Sequence, residues 1–108
     1  MLHAVNDDIY ISAGDTAAFA VVIDDGEGGE YTLADNERLS LTVEREGARV
    51  FQIYSGYGEQ GFLIVPELTE RLEGSYDMFI KLHYPDGSHY TIIGESPTAR
   101  AQFHVMEG

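Results

Sequence analysis

Carboxylates are the residues of this chain best supplied for chemistry. Asp7-Asp8 and, in the stretch "DDGEGGE", Asp24, Asp25, Glu27 and Glu30 could gather several oxygen atoms, the ligand type that hard cations such as Ca²⁺ prefer. The D-x-D-x-D-G order of a helix–loop–helix calcium loop is absent. Asp24, Asp25, Glu27 and Glu30 are therefore a candidate Ca²⁺ set only if distant loops converge on them, and otherwise are solvated loop charge. His83 and His89 flank the "YPDGS" turn and could face each other across a hairpin. His3 and His104 lie near the two ends, where first and last strands could approach. A transition-metal site needs three or four convergent ligands. With no H-x-x-x-H spacing and no cysteine, exposed strand positions are the plainer reading of these imidazoles.

Nucleophilic catalysis finds little material. Ser12, Ser40, Ser55, Ser75, Ser88 and Ser96 occur without a G-x-S-x-G elbow, and "EGSYD" around Ser75 is the nearest look-alike. Abundant acids permit a carboxylate pair for glycoside hydrolysis, but a sandwich of this size, filled by its own side chains, leaves little room for a substrate cleft. No strand-G-x-G-x-x-G-helix unit offers a phosphate cradle. The expectation is a non-enzyme with no catalytic residue and no cofactor.

Aromatic side chains supply another candidate. "FQIYSGYGEQGF" packs Phe51, Tyr54, Tyr57 and Phe62 together, and Tyr84 and Tyr90 bracket the later turn. Phe51 and Phe62 fit a core pattern. Tyr54 and Tyr57 do not, and tyrosine is favoured at interfaces because it joins a large apolar face to a polar tip. They are the expected contact surface, for protein or for sugar.

The elements that must carry these residues are strands. "RLSLTVERE" alternates Leu39, Leu41 and Val43 with Ser40, Thr42 and Glu44, a half-buried strand. "TAAFAVVIDD" puts Phe19, Val21 and Ile23 on one face, and "VFQIYS" does the same with Phe51 and Ile53. "SYDMFIKLHY" aligns Tyr76, Met78, Ile80 and Leu82, with Asp77, Lys81 and His83 outward. "DIYIS", "YTIIG" and "AQFHV" complete the series. Glycine-bearing turns separate them, "YPDGSH" most clearly. Only "PELTERLEG" breaks the period, predicting one short helical turn near residues 67–72. The spacing predicts an all-β, immunoglobulin-like antiparallel sandwich of about seven or eight strands, one domain over residues 1–108. "RLEGSYDM" fits the tyrosine corner of such sandwiches: Leu72 plugs the core, Gly74 permits the bend, and Tyr76 opens the sixth strand.

Composition narrows the partners. Nineteen acids against six Lys and Arg give a net charge of −13, which repels nucleic-acid phosphates and anionic membrane surfaces. Neither is expected as a partner. A 44% hydrophobic content fits a globular chain rather than disorder. "MLHAVNDDIY" does not read as a secretory leader, so synthesis in the cytoplasm is expected.

Two long stretches carry a family resemblance. "ISAGDTAAFAVVIDDGEGGEYTLADNERLSLTVER" and "GFLIVPELTERLEGSYDMFIKLHYPDGSHYTII" resemble small Ig-like domains of tailed-phage structural proteins, such as the N-terminal domain of the baseplate upper protein and related tail or head-fibre modules. The shared landmarks are Gly14-Asp15-Thr16, Tyr31-Thr32-Leu33 and the T-x-x-L-x-G-x-Y run ending at Tyr76. The resemblance implies a virion component without enzymatic activity, docking with other protein subunits or forming a homo-oligomer. It carries no binding residue, since the matched positions determine the fold. The rival expectations are a carbohydrate-binding module and a Ca²⁺-dependent adhesion domain.

Overall fold

The computed structural model describes residues 3–4, 8–24, 26–55, 60–93 and 101–107. Its strands are β1 (His3–Ala4), β2 (Ile9–Ser12), β3 (Ala17–Ala20), β4 (Ile23–Asp24), β5 (Arg38–Arg45), β6 (Ala48–Tyr54), β7 (Gly61–Ile64), β8 (Gly74–His83), β9 (His89–Ile93) and β10 (Ala101–Met106), with one helix, α1 (Pro66–Thr69). The fold is all-β, as the alternation predicts.

β8, ten residues long, organises the larger sheet. β5 runs along one edge of it. The other edge is shared by β10 against Gly74–Met78 and by β9 against Ile80–His83. The sheet continues outward to β2 beyond β10 and to β6 beyond β5. Two small ribbons, β3–β7 and β1–β4, stand apart from it. One core joins these layers. Leu39, Leu41 and Val43 of β5, Met78, Ile80 and Leu82 of β8, and Phe103 of β10 are almost wholly buried, clustered with Val21, Ile23, Phe62 and Ile64. Each such side chain contributes about 1.5–3 kcal/mol relative to exposure.

Several expectations change in detail. The sheet is mixed rather than purely antiparallel, because β2 runs parallel to β10, from Ile9 beside Phe103 to Ser12 beside Met106. A parallel neighbour needs a long connection, and here nearly the whole chain supplies it. The helical turn lies at Pro66–Thr69, earlier than 67–72, because proline suits a first turn, where its missing N–H has no partner to lose. The single run expected from Phe19 to Ile23 is two strands, since β3 pairs with β7 and β4 with β1. β5 is covered on both faces: Ser40 is 0% exposed and Thr42 8%. A central strand is shielded by its neighbours' side chains, and Gln52 Nε2 donates to Thr42 Oγ1 at 2.9 Å.

Candidate binding site on the outer sheet face

Leu72, Gly74 and Tyr76 form the expected corner. Gly74 has φ +96°, a conformation open to glycine and costly for other residues. A side-chain carbon there would also come within 2.8 Å of Arg45 Nη2. The buried Tyr76 turns its hydroxyl back on Glu73, accepting that residue's N–H at 3.0 Å and donating to its carbonyl at 3.1 Å. Arg45 lies over the Tyr76 ring, 3.9 Å from its centre, and donates to the Glu73 carbonyl. Leu72 packs against the core. This constellation fixes the start of β8 and therefore the placing of every side chain along it.

At the far end of β8 the outer face gathers positive and aromatic groups. Register sets Arg38 of β5 beside His83 of β8, and His83 beside His89 of β9. The adjoining row holds Tyr54 of β6, Ser40 of β5 and Lys81 of β8. Arg38 stacks on Tyr54, 4.4 Å from the ring centre. The His83 ring lies 5.9 Å from Tyr54 and 6.1 Å from His89, and its Nε2 is 2.8 Å from Ser40 Oγ. Burial, followed by the positive fields of Arg38, His89 and Lys81, lowers the His83 pKa below its usual value. Beside Arg38 and His83 opens a cavity of about 420 Å³, completed by Asn36, Tyr84, Pro85 and Gly87. The buried Glu37 carboxylate, between Asn36 and Arg38 in sequence, accepts from Tyr31 Oη at 2.5 Å and from the Ala34 N–H at 2.8 Å.

A second polar constellation ties the ends of the described chain together. Ser75 Oγ lies 2.8 Å from His104 Nδ1, and His104 Nε2 lies 3.0 Å from Asp8 Oδ2. Asp8 Oδ1 accepts the Gln102 N–H at 2.9 Å, and Tyr10 stacks on the His104 ring at 4.5 Å. A serine, a histidine and an aspartate in series resemble a proton relay, but the ring is used the opposite way from a hydrolase triad, in which serine meets Nε2. Ser75 also stands exposed on a strand. What the series does mechanically is clear: it fastens β2 and β8 to β10.

The remaining candidates lie apart. Glu27 and Glu30 are exposed, and Asp24 pairs through β4 with His3 of β1, so His3 and His104 belong to different sheets. The side chain of Asp24, together with Asp7, Asp25 and Tyr57, falls outside the described residues. Among the described residues no group of three or more His, Asp and Glu is arranged to hold a metal ion. Arg38 has no place among the candidates the sequence offers, and Lys81 and Ser40 stand there only as positions facing away from the core, not as parts of a site. Parity could have found them, since Lys81 and His83 share a face of one strand and Arg38 and Ser40 a face of another. No family model and no curated protein matches this chain.

Proposed function

We propose that this chain is a non-enzymatic docking module of immunoglobulin-like topology, serving as a structural component of a tailed-phage or prophage particle. The topology reading is supported by strand order. β10-β8-β5-β6 follows the G-F-C-C′ order of such sandwiches, β3–β7 stands for their B–E pair, and Tyr76 for the tyrosine opening strand F. The virion reading rests on the resemblance of the two long stretches alone.

One observation carries the docking reading. The outer face of the larger sheet presents Tyr54, 47% exposed, beside basic groups that neutralise no carboxylate among the described residues. Tyr10, Val50 and Met106 are further exposed apolar side chains on that sheet. Folding gains little from such side chains, whereas an interface uses them well. The acidic remainder of the surface keeps copies soluble and selects partners by charge.

Solution mass by light scattering at several concentrations, in calcium and in EDTA, tests the reading. A defined oligomer indifferent to EDTA and lost in Tyr54→Ser supports docking through this face. An oligomer that dissolves in EDTA transfers the reading to a Ca²⁺-dependent adhesion domain. Saturable oligosaccharide binding that perturbs Tyr54 transfers it to a carbohydrate module.

A further inference from the structure

We infer that Arg38, Lys81, His83 and His89, with the cavity beside them, form a recognition site for a single carboxylate side chain carried on a protein partner. The inference rests on the docking reading and names the chemistry of what docks.

The donor supply points to a carboxylate. Arg38 lies over the Tyr54 ring, 4.4 Å from its centre, a contact with the π face that uses none of the guanidinium N–H donors in a charge-paired hydrogen bond. Two parallel N–H donors match the two oxygens of a carboxylate. No carboxylate among the described residues pairs with Arg38 or Lys81. The register of β5 with β8 sets Arg38 opposite His83 and Lys81 opposite Ser40, so the two basic residues are diagonal neighbours on one face of the sheet. The adjoining cavity of about 420 Å³ has room for an acidic side chain and the backbone that bears it, and Tyr84 and Pro85 offer apolar walls.

Charge decides between kinds of anion. A chain of net charge −13 surrounds this small positive island with a repulsive field. A long polyanion such as nucleic acid would meet that field along most of its length. A single acidic side chain meets only the island. Neighbouring groups register the occupant as well. His83 faces Arg38 and Ser40 of β5, Tyr54 of β6, Lys81 of its own strand and His89 of β9. A negative charge seated among them offsets the fields that disfavour its protonation.

A short Glu-Gly peptide, blocked at both ends, is the probe, with its Gln-Gly counterpart as control. Two-dimensional NMR should show saturable shifts at His83 and His89, and the His83 pKa should rise on binding. Arg38→Gln and Lys81→Gln, both at positions that fill no part of the core, should each weaken binding about tenfold. Equal binding of the Gln-Gly peptide, or unchanged affinity in Arg38→Gln, overturns the inference. Tighter binding of a single-stranded oligonucleotide overturns it in favour of a polyanion site. Shifts that grow with protein concentration alone overturn it in favour of a second copy. Should the peptide fail while the Tyr54-dependent oligomer persists, this inference falls and the docking reading stands.

Discussion

A single phenolic oxygen at Tyr76 serves both the N–H and the carbonyl of Glu73, so Tyr76→Phe strips two partners from one residue of the chain. The expected cost is about 1–2 kcal/mol, measured by urea unfolding with an unchanged slope. Two other residues set the acid response. At Asp8 the His104 hydrogen bond, followed by the Gln102 N–H, lowers the carboxyl pKa below 3.8. Its stabilising contribution is present above that unfolded value and is lost as pH falls through the lower folded one. Asp8→Asn should therefore be less stable than the parent at neutral pH and converge with it in strong acid. His83 acts in a higher window. Its folded pKa lies below 6.5, so the unfolded chain takes up the proton first and stability declines as pH drops below 6.5. His83→Gln, which can still bond to Ser40, should flatten that decline in thermal melts between neutral and mildly acidic pH. Tyr31 responds at the opposite end. Burial and Glu37 push it up to about 12, so one tyrosine should resist ionisation in an alkaline absorbance titration, and Tyr31→Phe should remove that late step.

At the scale of elements, the β5–β6 hairpin carries a visible defect. Arg45 pairs with Ala48 across Glu46 and Gly47, whose φ angles are 53° and 82°. Two consecutive positive φ values define the turn type that favours Asn-Gly, and glutamate is poorly suited to the first of them. Glu46→Asn should stabilise the protein by up to about 1 kcal/mol, read as a higher denaturation midpoint. The β3–β7 ribbon has the reverse sensitivity. A side-chain carbon on Gly61 would fall 2.8 Å from the Phe19 carbonyl oxygen, so Gly61→Ala should loosen the ribbon and raise amide exchange there. The strands themselves were legible. Tyr76, Met78, Ile80 and Leu82 alternate in the sequence and all are buried, because a period of two leaves one face for the core. The corner was equally legible, since all its partners but Arg45 lie between Leu72 and Tyr76. The sequence allows His83 and His89 to face each other, and the register of the short hairpin pairs them. Arg38 and Tyr54 were not expected to join them. Each hairpin fixes its own register, but nothing in a local pattern says that β5 lies beside β8.

The whole molecule is dominated by its charge of −13. Self-repulsion of that size opposes the compact state, and salt screens it within about 8–10 Å at ordinary ionic strength. The melting temperature should therefore rise with sodium chloride, whereas the affinity of the outer face for an acidic peptide should fall. Opposite salt responses from one protein would separate the global field from the local island. By itself the sequence determined that the chain is rich in strands, which alternate residues of β8 face the core, that a helical turn precedes it and that a tyrosine corner opens it, because each depends on neighbours a few residues apart. Only the tertiary structure decided that β2 lies parallel to β10, bringing Asp8 to His104. It alone placed Arg38, Tyr54, His83 and His89 on one patch. The physical reason is that strand order is chosen by which arrangement closes the core as a whole, and no short stretch contains that information.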